Sequence, residues 1–461
     1  MPPIVTGRMF QRTKGSLAHT RFVALGVALC ALVALHGVDA AGAAGGWRRT
    51  RKIARGVFYS KIKDTPGPNR IHMLSVDLSR PSTLDVMLAR DKLPGFERTT
   101  SMARRAQAMA AINGDYAKPS GRPVYTFARD GDLDQTTEQF GRNFSVDTSE
   151  TVTFIGHPRT SAWMRDPSTG VIGAVDTVNS GRPRFDELAL FTPSGGEEEE
   201  PPLDACSARL YPSQGPQFRV DGPGVERTYT VDKVICRYRA MNRLGGSVLS
   251  TPQFGPRSSE VTSLLPGAQV VLGWSLGWSG VFDTIGGNPT LIEDGQIVSS
   301  NVDGSTPFHN RNPRTGVGTT PDGRVLMVAV DGRSPGFSVG MTLRGFARFF
   351  QQEGADWALN LDGGGSTTFV VNGDIKNRPS DGPERSVSSA LVLLPSSDPG
   401  EQVPVRRALP LGRPRPVGDN DWAEVVQDPG STGGLASFLS QEGVPLGPTM
   451  RRAAHKFETT D

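Results

Sequence analysis

Val325-Leu-Met-Val-Ala-Val330-Asp331-Gly332-Arg333, then Thr342-Leu-Arg-Gly-Phe-Ala-Arg-Phe-Phe350, then Trp357-Ala-Leu-Asn-Leu361-Asp362-Gly-Gly-Gly-Ser-Thr367 read as strand, helix and strand. The first run is continuously apolar, the pattern of a strand buried on both faces. In the second, Leu343, Phe346, Ala347 and Phe350 fall at i, i+3, i+4 and i+7; Thr342 caps the start and Gly354 stops the helix. The third is a second short buried strand. If the two strands are parallel neighbours, Asp331 and Asp362 emerge side by side at one sheet edge. Thr368-Phe-Val-Val371 with Asn372-Gly373 adds a strand and a hairpin turn, and residues 387–394 form the last strand.

Working back from there, residues 71–78 and 83–88 are strands joined by a Pro-containing turn, a hairpin or adjacent strands. Residues 99–110 predict a helix with Met102, Ala106 and Met109 on one face. It leads into Ala110-Ala-Ile-Asn-Gly-Asp-Tyr116, a buried strand with a polar end. Between about 157 and 280 the pattern weakens into a loop-rich insertion that holds four consecutive glutamates, Glu197 to Glu200, and strand character returns at 261–274. Like charges side by side stay solvated, so 194–203 is an exposed loop. The fold class expected is α+β, a mixed β-sheet core with few helices in a single large catalytic domain over 56–395. Residues 396–461 are rich in Pro, Gly and charge and predict a disordered tail.

The whole chain has 461 residues with 55 Gly and 36 Pro, about a fifth of the total, which suits short punctuated strands and excludes collagen, coiled coils and polytopic membrane proteins. Residues 1–40 have the form of a secretory signal peptide. Arg8, Arg12, Lys14 and Arg21 precede 14 uncharged residues at 22–35, which are few for a bilayer span, and small residues follow. Removing this leader takes four basic residues and one acid, leaving 46 against 46. A neutral protein has no nucleic-acid footprint. The expectation is a secreted or extracytoplasmic protein, touching a membrane only if the leader is uncleaved, with a short linker at 41–55. Outside the leader the cysteines are Cys206 and Cys236, and an oxidising compartment predicts one disulfide between them.

Few side chains can carry chemistry. The core histidines are His72, His157 and His309, too few to suggest a metal centre, so no cofactor is expected, with a divalent cation left open. Asp-Gly loops lack the regular spacing of a calcium site. Gly273-Trp-Ser-Leu-Gly277 matches a nucleophile elbow, but three glycines and no helical period follow it. Gly363, Gly364 and Gly365 with Ser366 and Thr367 either cradle an anion with bare backbone amides or make a tight turn. Arg311, Arg314, Arg333 and Arg385 lie around that region, in a chain with 41 Arg and 9 Lys. Asp115, Asp283, Asp331 and Asp362 each follow an apolar stretch, where a sheet presents carboxylates to a glycosidic centre or simply turns.

Six motifs resemble the phosphodiester glycosidases, a family with an animal branch, the mannose-6-phosphate uncovering enzyme, and bacterial members linked to exopolysaccharide. They are Ala111-Ile-Asn-Gly-Asp-Tyr116, Asn312-Pro-Arg-Thr-Gly-Val-Gly318, Val328-Ala-Val-Asp-Gly-Arg-Ser334, Gly340-Met-Thr-Leu343, Leu359-Asn-Leu-Asp-Gly-Gly-Gly-Ser-Thr-Thr368, and Pro379-Ser-Asp381 with Glu384-Arg-Ser-Val387. The resemblance implies hydrolysis of a sugar-1-phosphodiester in a glycan or cell-envelope polymer. It implies Asp331 and Asp362 as the catalytic carboxylates and Arg314 as the cation on the departing phosphate, with Arg311, Arg333 and Arg385 behind it. Asn113, Asp115, Asp283, Asn360, Gly363, Gly364, Ser366 and Thr367 would line the substrate. The rival reading is a non-catalytic envelope protein that holds phosphorylated polysaccharide or assists its assembly.

Overall fold

The run at 325–330 is apolar throughout because both of its faces are covered. The computed structural model describes residues 46–395 apart from 65–66, 137–140, 148–152, 171, 196–201, 216, 219–223, 237–245 and 279. Strand Arg324–Val330 lies inside a sheet of eight strands among the described residues. Val325, Met327 and Ala329 enter a core shared with two further sheets, while Leu326, Val328 and Val330 meet helix Leu343–Gln352 on the opposite face. Thr342 Oγ1 caps that helix, accepting from Gly345 N at 3.0 Å. On the neighbouring strand Arg314–Thr319, a Cβ at Gly316 or Gly318 would stand 2.9 Å from the Phe346 or Phe350 ring. Glycine there lets the helix lie close on the sheet.

This first sheet runs Trp47–Ala54, Val57–Asp64, Asn69–Asp77, Arg324–Val330, Arg314–Thr319, Trp357–Asn360, Thr290–Glu293, Gln296–Ile297, every pair antiparallel. Its first strand occupies part of the segment expected as linker. The strand escaped notice because it is an edge, with four basic residues along a mostly exposed ribbon, a device that discourages further pairing. Facing the first sheet is a second, of Asp374–Ile375, Phe369–Val371, Ala110–Asn113, Ser389–Pro395 and Ser82–Leu88. Its outer face is covered by helix Thr99–Arg105 through Met102 and Ala103. The two sheets and two helices thus stack as four layers, and a third sheet adds Phe127, Phe144 and Ile285 to the central core.

Several expectations change. Strands Asn69–Asp77 and Ser82–Leu88 are not partners, because the intervening turn carries the chain across the core into the second sheet. The helix expected at 99–110 stops at Arg105, where Gln107 takes a φ of 54° and aims the chain into Ala110–Asn113. The Asn372-Gly373 hairpin forms, both residues at positive φ. The stretch 157–280 is no loop-rich insertion. Among the described residues it builds a sheet of nine strands over its own core of Met164, Leu190, Leu210, Leu249, Leu272 and Trp274. Inward residues alternate along Val225–Ile235, but Arg227 takes an inward place and spoils the apolar signal. Val261, expected in a strand, belongs to the short helix Ser258–Thr262. The whole is sheet-rich with few helices. The leader, the glutamate run and the tail beyond 395 lie outside the described residues.

Cys206 and Cys236 are joined, 30 residues apart in sequence. They tie the start of Ala205–Pro212 to the end of Val225–Ile235, strands already paired. Loop entropy alone assigns the link about 3–4 kcal/mol. The Cys206→Ala, Cys236→Ala double variant is expected to lose about that much, read as a lowered urea midpoint that reductant no longer shifts.

Candidate active site

Three strands bring their chemistry to one end of the first sheet. Arg314 pairs with Val330 and Gly316 with Asn360, so Arg324–Val330 and Trp357–Asn360 run the same way with Arg314–Thr319 antiparallel between them. Asp331 and Asp362 therefore leave from the same edge, but not from parallel neighbours. The intervening strand starts at that edge and places Arg314 between them. From the second sheet, Ala110–Asn113 ends there too, opposite Phe369–Val371.

Asn113 fastens the two sheets together. It is buried, its Oδ1 accepts from Thr315 Oγ1 at 2.8 Å and Thr368 N at 3.1 Å, and its Nδ2 donates to the Asp362 carbonyl at 2.7 Å. Asp362 N returns a bond to Gly114 O. Asn113→Ala would strand two buried polar groups, Thr368 N and the Asp362 carbonyl, each worth about 1–3 kcal/mol, and leave Thr315 Oγ1 with Thr367 Oγ1 alone. The expected result is a loss of about 2 kcal/mol or more in denaturant unfolding.

Two carboxyls at this edge resist ionisation. Asp362 is pushed up from 3.8 to about 6 by burial, opposed by hydrogen bonds from Ser366 and Gly363 N and by the Arg385 charge. Asp115 is pushed up to about 8, chiefly by complete burial and further by the charge of Asp362. Its Oδ2 accepts from Tyr125 N at 2.7 Å, while Oδ1 has no partner. Tyr116, next in the chain, accepts from Asn360 Nδ2 at 2.7 Å and donates to Asn288 O at 2.8 Å. Burial and then the nearby Asp362 hold its hydroxyl protonated. Arg314 is buried, and burial lowers it to about 10. Its Nε donates to Met341 O and its Nη2 to Phe308 O and Asn310 O, and the Phe308 ring lies under it at 5.6 Å. No carboxylate among the described residues pairs with it.

The glycines explain how the loop fits. A Cβ at Gly363 would stand 2.8 Å from Pro313 O, at Gly364 2.9 Å from Arg333 Nη2, and at Gly365 inside the Asp381 carboxylate. Gly364 also needs a φ of 59°. Arg333 and Arg385, each about half exposed, flank the loop and share Asp381, which Arg385 binds directly and Arg333 approaches to 3.8 Å. Arg385 Nη1 reaches Ser366 Oγ at 3.5 Å and Arg333 Nη2 reaches Asn312 Oδ1 at 3.1 Å. Thr367 is buried and its carbonyl accepts from Asn377. The result is a glycine turn rimmed by cations beside two acids, in which Gly363 N bonds Asp362 and Gly364 N bonds Pro313 O.

Other expected residues go elsewhere. Asp331 is held by other partners: its Oδ1 accepts from Arg378 N at 2.6 Å, and its Oδ2 stands 3.3 Å from His72 Nε2, whose Nδ1 meets the Tyr59 hydroxyl at 2.7 Å. Asp283 accepts from Asp130 N in the third sheet. Arg311 donates to Gly340 O and packs on Gly67. Ser275 lies in strand Gln269–Ser275 and accepts from Gly277 N, with no elbow around it. Tyr116 and Asp381 were missed as site members although both stood inside quoted motifs; their signal was a polar group directly after a strand end or beside an arginine. Among the described residues no group of three His, Cys, Asp or Glu is placed to hold a metal.

Residues 250–394 match the family model described as phosphodiester glycosidase. The SPbeta prophage-derived uncharacterized protein YomE of Bacillus subtilis is 34% identical over 103 residues, 22% of this chain and 16% of that protein. The mouse N-acetylglucosamine-1-phosphodiester alpha-N-acetylglucosaminidase is 41% identical over 68 residues, 15% of this chain and 13% of that protein. The matches thus span less than a fifth of either relative. A crystal structure of a hypothetical protein from Synechocystis shares the fold, with a TM-score of 0.56, 20% identity, and coverage of 75% of this chain and 63% of that one. The stretch that matches the phosphodiester glycosidase model contains Arg314, Asp362, the triple glycine and Arg385.

Proposed function

We propose that the chain is a secreted hydrolase that cleaves the bond between an anomeric carbon and phosphate in a sugar-1-phosphodiester of a glycan or cell-envelope polymer. The carrying observation is the pair of raised carboxyls, Asp362 at about 6 and Asp115 at about 8, beside the arginine-rimmed glycine turn. At neutral pH Asp362 is largely ionised and Asp115 protonated, so only one negative charge meets the incoming phosphate. Asp362 acts at the anomeric centre or on its water. Arg333, Arg385 and Arg314, with the Gly365 amide, take the charge that grows on the departing phosphate monoester, a good leaving group that needs little protonation. Water supplies the hydroxyl on the sugar and the proton on the products. Catalysis falls within one α+β domain over 56–395, extended at its N-terminus by Trp47–Ala54. Secretion is supported by the form of the leader and by the disulfide.

The test is release of N-acetylglucosamine from a GlcNAc-1-phospho-methyl substrate by the purified chain, followed by a panel of cell-wall phosphoglycans. Turnover of any of them supports the reading. Saturable binding without turnover, weakened by Arg385→Ala, would replace it with a protein that only holds phosphorylated polysaccharide.

A further inference from the structure

One face of the first sheet gathers cations that the overall charge does not explain, since acids and bases outside the leader number 46 each. Along Trp47–Ala54, Trp47, Arg49 and Arg51 share that face, and opposite them in register stand Lys63, Lys61 and Tyr59 of Val57–Asp64. Lys63 in turn stands opposite Arg70 of Asn69–Asp77. On the other face Arg48 pairs with Glu353. Among the described residues Arg49, Lys61, Lys63 and Arg70 form no ion pair, and Asp374, an acid near Arg51, is bound by Lys376 at 2.8 Å.

Aromatic rings set three guanidiniums in a row. Arg49 lies 5.1 Å and Arg70 5.4 Å from the Trp47 ring, and Arg70 and Arg378 each lie 5.4 Å from the Phe337 ring. Arginine, ring, arginine, ring, arginine is therefore a continuous ladder, with Arg49 and Arg378 exposed and Arg70 half-buried. A ring face fixes a guanidinium but does not cancel its charge, as a carboxylate would. The ladder ends at the candidate site. Asp331, two residues before Arg333, donates its N–H to Arg70 O at 2.9 Å, and its Oδ1 accepts from Arg378 N at 2.6 Å. Asn377, next to Arg378, donates to Thr367 O at the end of the glycine turn. A row of fixed cations leading to a site that takes one phosphate suits a chain of phosphates.

We propose that this ladder is the docking track of a polyanionic glycan whose phosphates recur along its backbone, so that phosphates beyond the scissile one rest on Arg49 and Arg378 with the charge of Arg70 added to theirs. The choice of a phosphate-linked glycan as the polyanion rests on the hydrolase reading. The substrate is then a polymer held over several repeats, and a single sugar-1-phosphodiester fills only the end of the track.

The test uses the full chain carrying Asp362→Asn, which keeps the ligand intact, and calorimetric titration at about 50 and about 200 mM salt. The probes are a six-repeat oligomer of N-acetylglucosamine-1-phosphate, the single-repeat GlcNAc-1-phospho-methyl compound and phosphatidylglycerol vesicles. The oligomer should bind at least about tenfold tighter than the single repeat at the lower salt, with an advantage that shrinks at the higher. Arg49→Ser with Arg378→Ser, two exposed positions, should weaken the oligomer about tenfold and flatten its salt dependence, while the single repeat moves less than about twofold. The proposal is overturned if six repeats bind no tighter than one, including where neither binds, or if the double variant leaves the oligomer's affinity unchanged. Vesicles bound through the ladder as tightly as the oligomer would also overturn it and assign the ladder to a membrane surface. The hydrolase reading fails separately: ladder-dependent binding with no turnover by the unaltered chain sinks that reading and leaves this one, and turnover with ladder-independent binding does the reverse.

Discussion

Asp362→Asn is expected to cut turnover of a sugar-1-phosphodiester by about two to four orders of magnitude while raising the melting temperature at pH 7. Both effects have one cause. In the folded chain burial pushes this carboxyl from 3.8 to about 6. Below about pH 4 it is protonated folded or unfolded, and it costs nothing. Between about 4 and 6 the unfolded chain ionises first, so stability falls as pH rises; above 6 the penalty is constant, at up to about 3 kcal/mol. Asparagine removes that penalty, keeps an oxygen to accept from Gly363 N and Ser366, and removes the charge that acts on the anomeric centre. Differential scanning calorimetry beside the kinetic assay checks both halves. A variant that loses stability at pH 7 as well as activity would mean that the carboxylate is a structural anchor.

The same pair sets the pH profile. The value of kcat/KM should climb through about pH 6 as Asp362 ionises and fall near 8 as Asp115 loses its proton and puts a second negative charge beside the phosphate. Asp115→Asn should retain turnover at pH 7 within a fewfold and lose the alkaline fall. An alkaline limb that persists in Asp115→Asn would assign it to another group.

What the sequence made legible was local. The helix Leu343–Gln352 and the two strands around it follow from period and caps, since both faces of residues 325–330 are buried and every residue there is apolar. Pairing was not legible. Strand, helix, strand reads as parallel neighbours, and nothing in residues 325–361 reveals that Arg314–Thr319 inserts between them from an earlier place in the chain. The edge strand Trp47–Ala54 and the sheet at 157–280 were hidden by charge, in the first case on an exposed ribbon and in the second by Arg227 on an inward face. At the site, Asp362, Arg314 and the glycines stood out by motif and position. Asp331 stood out by the same rule, yet it bonds His72 and Arg378, because where a side chain turns after a strand end depends on partners distant in sequence.

Arg314→Ala is expected to lower turnover by about two to three orders of magnitude, the cost of removing a fixed cation or donor from a developing oxyanion. Burial makes this arginine effective: among the described residues its partners are backbone carbonyls and the Phe308 ring, so no carboxylate there neutralises its charge, and water screens it little. Nε and Nη2 are spent on the 308–310 and 341 carbonyls, which leaves Nη1 for a phosphate oxygen. Arg314→Lys separates the two duties. An ammonium keeps the charge but cannot satisfy three carbonyls while presenting a further donor, so it should recover only part of the loss, with kcat more affected than KM. Full recovery by lysine would show that charge alone matters. Recovery of neither variant by a substrate with a better leaving group, such as a p-nitrophenyl phosphodiester of the sugar, would show that Arg314 holds the loop in place and does not act on the leaving phosphate.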